Sequence, residues 1–183
     1  MPPPRLARSV ARMSKATTSS AKTPSIADLA RKLMEAVSAH DLDALGELQH
    51  EDVVDDFTAV GIYRGRAAVR AFFAETFGAF PDFALEVVRI TASGDMAIVQ
   101  WNVEGTFTGT PFQGIRATGK HVTLRGVDCM QFEEGRLHHN TIYYDGAGFA
   151  RSIGLLPAQG STAEKAMFAA FNAATKARRA VGL

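Results

Sequence analysis

Along residues 119–145, GKHVTLRGVDCMQFEEGRLHHNTIYYD, apolar and polar side chains alternate almost one by one. A strand points successive side chains to opposite faces, so this period of two predicts two long strands. They join at Glu133-Glu134-Gly135, where the glycine supplies the positive φ of a tight hairpin loop. On the first strand Val122, Leu124, Gly126, Asp128, Met130 and Phe132 share one face. His121, Thr123, Arg125, Cys129 and Gln131 share the other, with Val127 its one large aliphatic. On the second strand His138, Asn140, Ile142 and Tyr144 lie together, opposite His139, Thr141, Tyr143 and Asp145.

Asp128 breaks the apolar face of the first strand. A buried, unpaired carboxylate costs several kcal/mol, so it must find partners or keep its proton. That conflict makes Asp128 a candidate functional residue. The plainer alternatives are an acid at a solvated sheet end or one paired with an arginine. The mixture of His, Asn, Ile and Tyr on the second strand suits a cavity for a small, polar-tipped molecule, or a sheet surface covered by a partner subunit.

The rest of the chain reads in order as helices, then strands. Ser25 caps a helix over 26–39 with Leu29, Leu33, Met34 and Val37 on one stripe. Asp41 caps a shorter helix carrying Leu42, Leu45 and Leu48. A short strand over 53–57 holds Asp55 and Asp56 side by side. A helix after Arg64-Gly65 presents Val69, Phe72, Phe73 and Phe77, and Phe80-Pro81-Asp82 ends it. Strands over 83–91 and 95–107 follow, the second with Ala97, Val99, Trp101, Val103 and Phe107 on one face. The Gly- and Thr-rich stretch 105–119 is expected to form a mobile rim. Asp145 caps a helix reaching Ile153, and residues 162–180 form an Ala-rich helix. Its Met167, Phe168 and Phe171 are expected to pack on the body or on a partner subunit. This order predicts an α+β fold with helices on one face of a curved antiparallel sheet, and no internal repeats.

Composition narrows the picture further. The 183 residues suit one domain with tails: a basic tail over 1–25, a body over 26–157 and a helical extension over 158–183. Net charge is +1, which offers no broad electrostatic basis for nucleic-acid binding. Residues 1–27 carry five basic side chains and no acid; the other 15 face 19 acids, leaving the remainder at −4. Residues 1–25 are rich in Pro, Ser and Thr, and read as a flexible tail or as a start placed upstream of Met13. Their Arg-rich, acid-free composition also matches an organelle transit peptide, although three prolines oppose an amphipathic helix there. A cytoplasmic location is the expectation, and no apolar run is long enough for a membrane span. The single Cys129 excludes an internal disulfide and a cysteine-rich metal site. His138 and His139 are adjacent, so their rings diverge and cannot share a metal from one strand. His40 and His50 read as helix-end residues. No phosphate-cradling glycine loop, nucleophile elbow or zinc spacing occurs.

Several of these stretches together resemble the SnoaL-like polyketide cyclases and the ketosteroid isomerases, of the nuclear-transport-factor-like superfamily. The resemblance rests on Arg64-Gly65 before the Val69, Phe72, Phe73 helix, Phe80-Pro81-Asp82, Gly105-Thr106-Phe107-Thr108-Gly109 and Ala117-Thr118-Gly119-Lys120. It continues through Gly126-Val127-Asp128 and from Tyr144-Asp145 into Ile153-Gly154-Leu155-Leu156-Pro157. It implies a conical α+β fold and a homodimer formed through the sheet's outer face. It also implies a cofactor-free, metal-free enzyme acting on a small apolar carbonyl compound of polyketide, steroid or terpenoid type. Asp56 matches the isomerase's general base, and Asp128 its protonated oxyanion-hole acid, two carboxyls tuned apart by their surroundings. Asp55, Trp101, Met130, Asn140, Ile142 and Tyr144 are the expected substrate-binding residues.

This chain departs from both patterns. The isomerase's tyrosine falls near Leu33 or Met34, the cyclases' catalytic Asp at Ile142, and their pocket His at Asp128. Asn140 or Tyr144 is the expected replacement donor. The alternative is a small-molecule-binding or assembly module without chemistry.

Overall fold

The computed structural model describes residues 24–180. The expectations for the basic tail therefore fall almost entirely outside the described residues. The chain runs α1 (Ile26–Ser38), α2 (Leu42–Glu47), β1 (Gln49–Phe57), β2 (Gly61–Arg64) and α3 (Arg66–Ala79). It continues β3 (Ala84–Ser93), β4 (Met96–Thr106), β5 (His121–Glu133), β6 (Arg136–Tyr144), α4 (Gly146–Ser152) and α5 (Thr162–Ala180).

The strands form one curved, open, six-stranded sheet in the order β2-β1-β6-β5-β4-β3. Every neighbouring pair is antiparallel except β1 with β6. The helix α1 packs on β3 and β4, and α3 on β1 and β2, so apolar stripes meet the inward sheet face. Leu29, Leu33, Met34 and Val37 of α1 are buried, as their helical spacing predicts. Ser25 and Asp28 form a capping box, each side chain accepting the other's backbone N–H at 3.2 and 3.0 Å. His40 lies in the turn between α1 and α2 with φ 56°, stacked on Phe77 at 4.1 Å and bonded through Nε2 to the Phe83 carbonyl at 3.0 Å.

The faces of β5 follow parity. Val122, Asp128, Met130 and Phe132 are all buried. On β6 the alternation fails once. Gln131 pairs with His139 but Phe132 with Leu137, so His138 is an extra residue in a β-bulge. Leu137 thereby takes the buried position, and His138 does not share the face of Asn140 and Ile142. Opposite the bulge, β1 also slips register, between Gln49 and Val54.

Four further expectations are corrected. The strand β2 was not anticipated, because Gly61-Ile62-Tyr63-Arg64 is too short to show a period. His50 lies inside β1, which starts four residues earlier than the apolar run 53–57 suggests. Residues 105–119 are tied down rather than a loose rim: Gly109 and Thr110 donate to the Ala79 and Gly78 carbonyls at 3.0 and 2.9 Å. Met167, Phe168 and Phe171 of α5 are exposed rather than packed on the body, which leaves a partner subunit as the alternative expected for them.

Candidate active site

Between the helices and the inward sheet face lies a cavity of about 890 Å³, its open mouth included. Seven phenylalanines line it, among them Phe57 on β1 and Phe72 and Phe73 on α3. Ring contacts run through this wall: Phe57 meets Phe72 at 4.2 Å, Phe72 meets Phe112 at 6.2 Å, and Phe112 meets Phe80 at 5.9 Å. Polar groups are few, as in most small-molecule sites. They are Asp128, Asn140, Tyr144 and Thr76, with Glu104 on an exposed part of the wall.

Asp128 is 7% exposed, and both of its oxygens are held by side-chain donors. Trp101 Nε1 donates to Oδ1 at 2.6 Å, and Asn140 Nδ2 donates to Oδ2 at 3.0 Å. Burial drives the Asp128 carboxyl upward, and the Asn140 and Trp101 bonds pull it back, leaving it at about 6. The Trp101 contact depends on a glycine. Trp101 and Gly126 are cross-strand partners, and a Cβ on Gly126 would stand 2.4 Å from Trp101 Cζ2. The indole therefore crosses β5 where a side chain is missing, and meets the acid two residues along.

The buried acid of β1 is Asp55, not Asp56. Asp55 is 2% exposed and is the register partner of Asn140. Asp56 pairs with Thr141, on the opposite face, and is only partly buried. Strand parity allows just one of two adjacent acids to point inward. Burial, reinforced by the charge of Asp128, pushes the Asp55 carboxyl up to about 8. Its Oδ1 is buried without a hydrogen-bond partner, as is Asn140 Oδ1 on the adjoining strand. Asp55 sits behind the cavity wall rather than in it.

The result is a diagonal polar row across four consecutive strands: Asp55 on β1, Asn140 on β6, Asp128 on β5 and Trp101 on β4. Burial raises both carboxyls, Asp55 further than Asp128, and only Asp128 has side-chain donors that favour its charged form.

Of the other expected residues, Trp101, Asn140, Ile142 and Tyr144 line the cavity. Burial pushes the Tyr144 phenol up to about 12, with Tyr63 adding to the effect, so it stays a neutral donor. Met130 is 2% exposed but belongs to the core and not to the cavity wall. Among the described residues, no histidine or cysteine lines the cavity. Phe57, Thr76 and Phe112 were not singled out as lining residues. Their only advance signals were aromatic density for the two phenylalanines and helical spacing for Thr76.

Residues 27–153 match the family described as SnoaL-like polyketide cyclase. No curated protein sequence matches the chain significantly. Among solved structures, a candidate SnoaL-like polyketide cyclase from Jannaschia sp. CCS1 superposes with a TM-score of 0.65 at 22% identity, over 72% of this chain and 93% of that one. The candidate polyketide cyclase IdmH from Streptomyces antibioticus gives 0.60 at 25% identity, over 70% of this chain and 98% of that one. A candidate ketosteroid isomerase from Kribbella flavida DSM 17836 gives 0.51 at 23% identity, over 65% and 76% of the two chains. These likenesses are of fold.

Proposed function

The chain belongs to the SnoaL-like polyketide cyclase family, and on that premise we propose that it is an enzyme transferring a proton at carbon beside a carbonyl group. The substrate is a small, largely apolar ring compound or ring precursor, and the outcome is cyclisation or double-bond migration. One observation carries this reading: a buried carboxylate, Asp128, opens onto a phenylalanine-lined cavity with both oxygens already held by donors.

In this scheme Asp128 is the general base. A base titrating near 6 is ionised at neutral pH yet basic enough to accept a proton from an activated C–H. Trp101 and Asn140 hold it at a defined angle and keep it charged in an apolar setting. Asn140 already gives one of its two amide N–H groups to Asp128. Tyr144 is better suited to the substrate oxygen: it lines the same wall, is neutral, and can donate to that oxygen as negative charge develops. Asp55 sits behind the wall. It is the register partner of Asn140 on the neighbouring strand, and the Oδ1 atoms of both are buried without a hydrogen-bond partner. No cofactor enters the scheme.

The test begins with a thermal-shift screen against polycyclic and terpenoid ketones, since a ligand that prefers the native state raises its melting point. On the compound identified, Asp128→Asn is expected to lower kcat about a hundredfold or more while binding persists. Full turnover in that variant refutes Asp128 as the base; binding without turnover by the wild type leaves a binding module. A homodimer through the outer sheet face accompanies the proposal. Met96 and Ile98 on β4, Val88 on β3 and Tyr143 on β6 are exposed there. Ile98→Lys would then yield monomers in light scattering.

A further inference from the structure

Where β1 and β6 both lose register, they bring together two histidines and a carboxylate. His50 and Asp52 come from the slipped stretch of β1, and His138 is the bulged residue of β6. One potential ligand atom from each lies within 4.8 Å of the other two. His50 Nδ1 contacts Asp52 Oδ1, and His138 Nε2 stands 3.8 Å from the same oxygen. The imidazole rings are perpendicular with centroids 5.4 Å apart. Both histidine side chains are about one-third exposed, at 33% and 32%, so solvent reaches the cluster.

We propose that His50, Asp52 and His138 form a binding site for a divalent transition-metal cation of the Zn²⁺ type. Three points favour a cation over three surface polar groups in casual contact. Two imidazoles and one carboxylate select borderline first-row cations over Mg²⁺ or Ca²⁺, which require oxygen ligands. In a tetrahedral shell with bonds of about 2.0–2.1 Å, ligand atoms are about 3.4 Å apart; His138 stands 3.8 Å from Asp52, near that spacing, whereas His50 is hydrogen-bonded directly to Asp52 and must move apart from it and release the shared proton to admit the ion. The third point is the support behind the ligands. Glu133 Oε1 lies 3.4 Å from His138 Nδ1, the ring nitrogen turned away from Asp52. A carboxylate on that nitrogen fixes the tautomer that presents Nε2 as a lone pair, which is how metal-bound histidines are usually held.

The backbone explains why adjacent His138 and His139 could not do this alone. On one strand their rings diverge. The bulge at His138 instead turns it toward β1, whose own slip carries His50 and Asp52 to meet it. A cation bound there would join the two strands of the sheet's parallel pair at the place where ladder bonding is interrupted. The site lies apart from the phenylalanine-lined cavity, none of whose lining residues it shares.

The experiment is a calorimetric Zn²⁺ titration of the full chain, free of any histidine tag. One equivalent is expected to bind and to raise the melting temperature, with no competition from excess Mg²⁺. His50→Asn and His138→Asn should each weaken binding tenfold or more, and Glu133→Gln by about tenfold, the usual scale for an outer partner. Circular dichroism of each variant confirms that the fold is retained. Absence of binding by the wild type overturns the proposal. So does undiminished affinity in the His50→Asn/His138→Asn double variant, which would place the cation on other groups, Cys129 or His139 among them.

Discussion

Trp101 reaches Asp128 through a gap left by Gly126. The indole nitrogen donates to the carboxylate at 2.6 Å, and the cross-strand partner of the indole has no side chain. Three residues on two strands thus act as one unit: a donor, an acid and the empty space that lets them meet.

That unit makes Gly126→Ala a probe of the site. The new Cβ would lie 2.4 and 2.6 Å from two Trp101 ring carbons and 2.6 Å from the Tyr143 carbonyl oxygen. Overpacking of this kind costs about 1–3 kcal/mol. The chain has one tryptophan, so its fluorescence reports the displacement directly. A shifted emission maximum and a lower denaturation midpoint are the expected outcome.

Removing a donor from Asp128 must raise its pKa, because both hydrogen bonds favour the charged form. Trp101→Phe and Asn140→Ala are therefore expected to move the acid limb of kcat/KM upward from about 6. A rate profile that keeps its limb in place would show that Asp128 is not the group titrating.

The burial of Asp55 should be visible in a stability–pH experiment. The folded-state pKa of Asp55 is raised to about 8, above its value in the unfolded chain. Its contribution is therefore fully present at acid pH and is lost as pH rises toward 8. Asp55→Asn removes that loss. The variant should melt higher than wild type at pH 8 and much closer to it at pH 5, with about 2–4 °C expected per kcal/mol. Thermal melts at the two pH values check this.

The start of α5 carries the opposite sign. Glu164 accepts from the Gly160 N–H at 2.6 Å and from Arg151 at 3.1 Å, and these bonds hold its carboxyl below the usual range. A depressed acid stabilises above its unfolded pKa and ceases to do so as pH falls through its folded value. Hydrogen exchange along 162–180 is expected to quicken as pH is lowered through that range, after correction for intrinsic rates, and in Glu164→Gln at neutral pH.

Much of the architecture was legible in one dimension. Period-two alternation found β5 and β6, and capping residues found α1, α2 and α4, because these signals are local. The apolar face of β5 marked Asp128 as anomalous before any contact was known. What the chain does not display is register. Choosing Asp55 over Asp56 needs to know which residue of β1 lies beside Asn140, and that pairing spans most of the domain. The bulge at His138 is equally silent, since a period interrupted once looks like noise. Gly126 reads as a weak strand residue until Trp101 is laid across it.

The pairing of β1 with β6 has a consequence for how the protein is made. Asp55 emerges from the ribosome early, and its companion Asn140 is among the last strand residues to follow. Contacts so distant in sequence form slowly, since a large loop must close first. During synthesis the early strand waits with a carboxyl group destined for the interior still in water, ionised. Completion of the final strand is then also a protonation event, and nascent chains should mature faster in mildly acidic than in alkaline medium.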